Sequence, residues 1–286
     1  MEIIRCEMPS NYELIDTSDF HIGVANTNEN SIIEMIDYVA SKKNRYMIIK
    51  GDLIDAIAIK DKRFSLASFT DHKVYTPQEQ ADRIIELLKP IRKKIKCILL
   101  GNHEFTLYNI FDFVGYWCKE LEVPWGGITT KFVHLYKNEV KWKGLYVHGS
   151  GVLRSQAKDP IQAKANMKAL LKKRLQYLAS DCVYMSQGHT HTMLVVEPTI
   201  QDQLHLYDDG EKLQQTYRAD VDQSKRYIDV EARWYVNTGS FLGTMSQPGQ
   251  KVIPYSEIAM YAPVEQGYVI QTVEDHKLVD VKRIVV

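Results

Sequence analysis

Short apolar runs recur along this chain, and most of them stop at a glycine or at an acidic, amide or imidazole side chain. Runs of four or five apolar residues are typical of buried strands. Helical patterns separate the earlier runs and consecutive runs follow near the end, which predicts a layered α/β protein. The polar residues that follow the runs are Asp19, His21, Asp52, Asn102, His103, His148, His189, His191 and Asn237. Because ligands bind at the carboxyl ends of strands in open α/β sheets, we expect these residues to converge on one site.

Capping patterns and apolar periodicity locate the other elements. Ser31 and Glu34 have the spacing of a capping box, which predicts a helix that starts at Ser31. Thr76 and Glu79 have the same spacing on either side of Pro77 and predict a second helix. Further predicted elements are a helix within residues 111–121, a helix over 159–179, and strands over 46–49, 97–100, 145–147, 182–185, 234–236, 268–273 and 278–286.

The bulk composition is that of a globular enzyme. Of the 286 residues, 45% are hydrophobic and 25% are charged. The formal net charge is zero, so overall charge favours neither nucleic acid nor a membrane as partner. The scattered cysteines form no disulfide framework, and no leader-like or membrane-length apolar stretch is visible. We expect a cytoplasmic protein without membrane contact or an obligate protein partner, with one domain over 1–286 and an excursion at about 199–229.

The residue types at the strand ends indicate metal chemistry. In Asp19-x-His21 and His189-x-His191, alternate residues of an extended segment would point the same way, so each pair could serve one site. Carboxylate, imidazole and amide groups together suit divalent metals such as Mn, Fe, Zn or Ni. Each residue alone would be interpreted as a turn, cap or core residue, and only the joint pattern indicates a site. The inventory is too large for one ion and suits two ions about 3.5–4 Å apart that share a carboxylate.

Five short motifs follow one another in chain order. They are Asp19-x-His21, Gly51-Asp52-x-x-Asp55, Gly101-Asn102-His103-Glu104, His148 and Gly188-His189-x-His191. This order resembles the signature of the calcineurin-like metallophosphoesterases. The resemblance implies a four-layer α/β/β/α sandwich of two mixed β-sheets flanked by helices. It is specific for the fold and the metal centre and weak for the substrate, because the superfamily includes protein phosphatases, nucleotide hydrolases, lipid pyrophosphatases and nucleases.

The resemblance also implies a role for each residue. The first ion would be held by Asp19, His21, Asp52 and His191, and the second by Asp52, Asn102, His148 and His189. Asp52 would bridge the ions, and a hydroxide between them would attack phosphorus in line. His103 would be no ligand but a general acid or a stabiliser of phosphate charge, oriented by Glu104. Asn102 would also meet the substrate oxygens, Asp55 would support the loop or a ligand, and Ala56 stands where many relatives carry arginine.

The cofactors implied are two divalent metal ions, with Mn²⁺ as first choice and Fe, Zn, Ni or Mg as alternatives. For the phosphate-ester substrate we favour a phosphodiester of nucleic acid or nucleotides. Residues 60–73 combine basic and aromatic side chains, and residues 158–174 are rich in lysine. An ordinary solvated loop and a solvated helix face are the competing interpretations of these two segments. The alternative functions are a phosphomonoesterase acting on a phosphoprotein or small metabolite, and a non-catalytic scaffold, against which the complete ligand set argues.

Overall fold

The computed structural model describes residues 1–56, 76–217, 221–246 and 253–286, and strands and helices alternate through much of this part of the chain. The strands are β1 (Glu2–Glu7), β2 (Tyr12–Thr17), β3 (Arg45–Ile49), β4 (Ile95–Ile98), β5 (Thr129–Tyr136), β6 (Glu139–Val147), β7 (Tyr184–Gln187), β8 (Leu194–Val196), β9 (Leu204–Asp208), β10 (Leu213–Tyr217), β11 (Trp234–Asn237), β12 (Gly267–Glu274) and β13 (Lys277–Val285). The helices are α1 (Glu29–Ser41), α2 (Pro77–Leu88), α3 (Asn102–Thr106), α4 (Phe113–Leu121), α5 (Pro160–Leu175) and α6 (Tyr255–Ile258), with 3₁₀ turns at Lys89–Lys94, Ile200–Asp202 and Val230–Ala232.

Two mixed sheets form the centre of the fold. One has the strand order β1-β5-β6-β7-β11-β8, and the other has the order β13-β12-β2-β3-β4. Strands β6, β7 and β11 are parallel neighbours in the first sheet, and β2, β3 and β4 are parallel neighbours in the second. Each sheet therefore presents a row of strand carboxyl ends at one edge, and these are the ends where the predicted polar residues lie.

The burial pattern shows four layers. Leu14 and Ile48 of the five-stranded sheet belong to one buried cluster with Trp142 and Tyr184 of the six-stranded sheet, so the two sheets pack face to face. On the other face of the five-stranded sheet, residues such as Ile49 pack with α1, α2 and α4. The outer face of the six-stranded sheet packs against α5. Because successive strand residues point to opposite faces, each central strand contributes to two of these clusters. The predicted α/β/β/α sandwich is confirmed.

Helix starts were predicted with mixed success. Thr76 caps α2 with the predicted capping box, in which its hydroxyl accepts from the Glu79 N–H. The first helix begins at Glu29 rather than at Ser31, because Asn28 is the cap and its side chain accepts from the Ser31 N–H. Asn28 is fixed in that place by long-range contacts, since its N–H donates to the Phe241 carbonyl at 2.8 Å. A contact across more than 200 positions leaves no trace in a local capping pattern.

The end of α5 was also predicted too late. The helix ends at Leu175 and not near residue 179. The Arg233 guanidinium, itself buried, donates to the carbonyls of Gln176 and Ala179. These bonds take up carbonyl groups just beyond the last helical turn, so the chain turns away there.

Residues 199–229, expected to leave the core, contain a hairpin of β9 and β10. The two strands form a separate two-stranded sheet, and large side chains such as Leu206 and Leu213 are exposed on it. Among the described residues, no helix has both the length and the apolar character that crossing a membrane requires.

Candidate metal centre

The polar residues that follow the central strands lie on loops with an unusual backbone conformation. Positive φ angles between 52° and 69° occur at Asp19, His21, Asp52, His189 and His191. Residues other than glycine rarely adopt this region, and such strain concentrates at functional sites. The expectation that the two D-x-H and H-x-H pairs are extended is therefore wrong. Each pair converges because both of its residues are left-handed, which turns the loop back on itself.

Asp19, His21 and His191 form a first cluster. The Nε2 atoms of His21 and His191 are 3.1 Å apart, and Asp19 Oδ1 lies 3.4 Å from His191 Nε2. One ligand atom from each residue lies within 4.8 Å of the others. Asp19 Oδ1 is completely buried and has no hydrogen-bond partner. A buried carboxylate oxygen without a partner is costly unless a cation completes its surroundings.

Asp52, His148 and His189 form a second cluster on the other side. His148 Nε2 is 3.2 Å from Asp52 Oδ2. The Asn102 amide oxygen lies between the imidazoles, 2.9 Å from His148 Nε2 and 2.6 Å from His189 Nδ1. Turning the amide would place its nitrogen there as a donor to the same atoms. Asn102 could serve a metal ion only with its oxygen inward, and the donors gathered here would then be a carboxylate, an amide oxygen and two imidazoles.

His103 lies where the two clusters meet. Its ring packs edge-on against the ring of His21, with centroids 4.6 Å apart. The backbone N–H of His103 donates to Asp52 Oδ1 at 2.9 Å. Ring atom Nδ1 lies 2.6 Å from the Asp55 carbonyl oxygen, which can only accept, so Nδ1 carries a proton. One ligand-type atom from each of His21, Asp52 and His103 also lies within 4.8 Å of the other two. His103 thus lies at the junction of the two clusters.

The Glu104 carboxylate supports the Asp52 loop, although the family resemblance implied that it orients His103. Its carboxylate accepts from the backbone N–H groups of Gly101, Asp52, Leu53 and Ile54. Burial raises the pKa of Glu104 to about 7, whereas the four donors favour its charged form. The loop approaches closely as well, because a Cβ at Gly51 would lie 2.3 Å from the Gly101 nitrogen. Glu104 and the two glycines together hold Asp52 beside Asn102.

Hydrogen bonds behind the clusters orient the ligand atoms. His148 Nδ1 lies 2.6 Å from the Lys50 carbonyl and donates to it, which directs Nε2 toward Asp52. Asp19 Oδ2 accepts from the Ser18 hydroxyl and from the His189 N–H at 3.0 Å. The Ser18 hydroxyl also lies 2.7 Å from that of Thr238. One oxygen of Asp19 is thereby fixed, and the other points into the first cluster.

The charges of the site favour cations. Burial alone would lower the pKa of His21, but the Asp19 and Asp55 carboxylates raise it to about 10. Burial lowers the pKa of His148 as well, but the Asp52 carboxylate raises it, to about 9 overall. Burial raises the pKa of Asp52 while His148 lowers it, to about 2 overall. The carboxylates therefore hold protons on His21 and His148, and divalent cations would take the place of those protons.

Comparison with known families matches this geometry. The profile of the calcineurin-like phosphoesterases covers residues 17–193 and so contains every residue of the two clusters. The chain belongs to this family. It is therefore a hydrolase of phosphate esters in a metal-dependent family, and its clustered His and Asp residues could hold the metals.

Solved structures similar to this phosphoesterase share few residues with it. A metallophosphoesterase from Sphaerobacter thermophilus is 15% identical with a TM-score of 0.38, over 95% of this chain and 88% of that one. The calcineurin-like phosphoesterase YfkN from Bacillus subtilis is 13% identical with a TM-score of 0.41, over 96% and 90%. The NAD nucleotidase of Haemophilus influenzae is 11% identical with a TM-score of 0.41, over 96% and 50%. Curated protein sequences give no significant match. None of these likenesses assigns a substrate.

The phosphoesterase brings together eight of the nine polar residues that were expected to converge, namely Asp19, His21, Asp52, Asn102, His103, His148, His189 and His191. Asn237 lies behind them, where it accepts from Gln187 at 2.9 Å. Sequence reasoning missed Ser18, which fixes Asp19, and it missed Lys50 and Asp16. Lys50 and Asp16, whose charged groups lie 2.9 Å apart, stand at the ends of apolar strand runs. That position is itself a signal, because a charged residue there is rarely buried without a partner.

Proposed function

We propose that this phosphoesterase binds two divalent metal ions and uses them to hydrolyse phosphodiesters of nucleic acid or nucleotides. Asp19, His21, Asp52 and His191 would hold one ion, and Asp52, Asn102, His148 and His189 would hold the other. The position of Asp52 carries the proposal. A carboxylate oxygen of Asp52 lies within 4.8 Å of ring nitrogens of His148 and His189. A carboxylate oxygen of Asp52 also lies within 4.8 Å of a ring nitrogen of His21, a member of the first cluster. One carboxylate within reach of both clusters is what a bridged pair of ions requires.

Two bound ions would supply Lewis-acid activation of water and neutralise charge on the phosphate oxygens. The surrounding residues would do the rest. Glu104 holds the Asp52 loop in its left-handed turn, and Ser18 fixes one oxygen of Asp19. His103, at the edge of both clusters, would give a proton to the leaving oxygen.

Removal of metal is expected to abolish hydrolysis. Chelation of the purified protein should reduce turnover of bis-p-nitrophenyl phosphate to background, and Mn²⁺ should restore it with two ions bound per chain. Elemental analysis alongside the rate measurement checks both statements. Full activity in protein shown to be metal-free would refute the proposal. Two bound ions without hydrolysis of any phosphate ester would favour the scaffold alternative.

An aromatic surface beside the second cluster supports a nucleoside-bearing substrate. Phe105 lies three residues after Asn102 on α3, hence on the same helix face. Its side chain is 58% exposed, and its ring stacks with that of Tyr108 at 22° and 6.2 Å between centroids. Exposed aromatic rings beside a phosphate site suit a nucleobase, which stacks on them. The basic segment at 60–73, which also motivated this preference, lies outside the described residues.

The lysine-rich helix gives weaker support for nucleic acid. Lys172 forms an ion pair with Glu231, and Arg174 donates to the carbonyls of Ser150 and Val152. These two cations are thus engaged within the protein. Lys164 and Lys173 are exposed on the same helix.

Loss of the Phe105 ring should weaken use of a nucleoside ester selectively. Phe105→Ala is expected to lower kcat/KM about 5- to 150-fold for thymidine 5′-p-nitrophenyl phosphate, because stacking on an aromatic ring contributes about 1–3 kcal/mol per base. Methyl p-nitrophenyl phosphate has the same leaving group and no base, and its kcat/KM should change little. Tyr177→Ala removes an 83% exposed ring near the opposite end of β7 and serves as the control. Equal losses on both esters would contradict stacking, and faster hydrolysis of p-nitrophenyl phosphate than of either diester would favour the phosphomonoesterase alternative.

A further inference from the structure

Lys50 is a fully buried cation directly below the metal centre. It follows the last residue of β3 and precedes the Gly51-Asp52 turn, and its side chain is inaccessible to solvent. A lysine is almost never fully buried unless it is paired. Here its Nζ lies 2.9 Å from Asp16 Oδ1, another fully buried charge, on the neighbouring strand β2.

The Lys50 side chain also crosses from one sheet to the other. Its Nζ donates to the Ser186 hydroxyl and, at 3.1 Å, to the Gln187 carbonyl, and both acceptors are on β7 of the six-stranded sheet. Asp16 reaches the same strand, where it accepts from the Tyr184 hydroxyl at 2.6 Å. The ion pair and its hydrogen bonds therefore join the two sheets at the end where the ligand-bearing loops begin.

Asp52, His148 and His189 of the second cluster are each connected to Lys50, either through the chain or through a hydrogen bond. Asp52 follows it by two positions. His148 donates from Nδ1 to the Lys50 carbonyl at 2.6 Å. His189 follows Gln187, whose carbonyl accepts from the Lys50 ammonium. In the first cluster, the Asp19 carboxylate is held by Ser18 and by the His189 N–H, while its N–H donates to the Gly51 carbonyl and its own carbonyl accepts from the Phe241 N–H.

We propose that Lys50 is a positioning residue that sets the spacing of Asp52, His148 and His189 and so creates the affinity of the second cluster for its metal ion. This inference rests on the proposed two-metal function. Groups that orient metal ligands typically change metal affinity or activity about 10- to 100-fold when they are removed. A buried ion pair adds little to stability relative to apolar replacement, so a role in orientation gives a physical reason for its presence.

A pair of variants separates positioning from stability. Lys50→Met keeps the length of the side chain but leaves the Asp16 carboxylate buried and unpaired, so its Tm should fall markedly. Lys50→Met/Asp16→Asn removes both charges and keeps an acceptor for the Tyr184 hydroxyl, so its Tm should return toward the wild-type value. The control is Lys131→Met/Asp181→Asn, which removes a partly exposed Lys–Asp pair with the same 2.9 Å separation just before β7, where Asp181 also pairs with Lys143 at 3.2 Å.

Calorimetric titration of the metal-free proteins with Mn²⁺ tests the inference. The double variant at Lys50 and Asp16 should bind the second ion about 10- to 100-fold more weakly than wild type, and the first ion should be weakened less, because it shares only Asp52 with the second cluster. The control should match wild type for both. Wild-type affinities for both ions in the double variant would overturn the positioning role, as would equal weakening of both ions together with a low Tm. If the wild-type protein itself bound only one Mn²⁺, the two-metal proposal would fail, and this inference with it.

Discussion

Asp52→Asn is expected to eliminate most hydrolysis and to weaken binding of both metal ions, because a single carboxylate is within reach of both clusters. The substitution is nearly isosteric. The Asp52 N–H would still donate to Glu104, and an asparagine oxygen could still accept from the His103 N–H, which now donates to Asp52 Oδ1 at 2.9 Å. The loop should therefore keep its conformation while the bridging charge is lost.

The size of this effect follows from the charge that the ions neutralise. Metal ions contribute several kcal/mol to stabilising a phosphoryl transition state. A loss of about 4 kcal/mol corresponds to about 10³-fold in kcat/KM. Because His148 now faces the Asp52 carboxylate at 3.2 Å, the variant should also lose the interaction that raises the pKa of His148.

Calorimetry with Mn²⁺ measures the loss of metal affinity, and thermal unfolding of the metal-free protein checks that the loop and the fold are kept. Asn102→Ala is the matched comparison, since its amide faces only the second cluster and should weaken one ion far more than the other. Two ions bound to Asp52→Asn with wild-type affinity would show that Asp52 is not the bridge.

The convergence of the site was predictable from residue types, but the means of convergence was not. Asp19, His21, Asp52 and His148 each follow an apolar run, and parallel strands place such positions at one edge. The left-handed conformations at Asp19 and Asp52 could not be inferred, because the residues carry no glycine-like signal. They are imposed by contacts distant in the chain, such as the N–H of Asp19 donating to the Gly51 carbonyl at 3.0 Å.

The partners of the supporting residues were unpredictable for a related reason. The family resemblance implied that Glu104 orients His103, yet its carboxylate turns toward the loop some 50 positions earlier. The link from Lys50 to Ser186 likewise spans 136 positions. A sequence shows that a polar residue must find a partner, and only the arrangement of strands decides which one.

His103→Ala is expected to keep both metal ions and to lose activity according to the leaving group. General acid catalysis typically contributes about 10²–10⁴-fold, and it matters most when the leaving oxygen is a poor leaving group. The variant should therefore lose about that factor in kcat/KM on a dinucleoside phosphate, and much less on p-nitrophenyl diesters, whose leaving group needs little protonation. Equal losses on both substrates would indicate that His103 stabilises phosphate charge, and loss of one ion would identify it as a ligand.

The pH dependence of the same pair of proteins gives an independent test of His103. Because Nδ1 donates to the Asp55 carbonyl, only the doubly protonated ring can donate from Nε2. Burial lowers the pKa of His103 below its usual value of 6.5, and the nearby His21 lowers it further. The acid form is therefore lost as pH rises, and the ratio of wild-type to variant kcat/KM on the dinucleoside phosphate should fall between pH 5 and pH 8. A ratio that stays constant over this range would mean that the ring acts without a proton on Nε2, and the general-acid role would have to be abandoned.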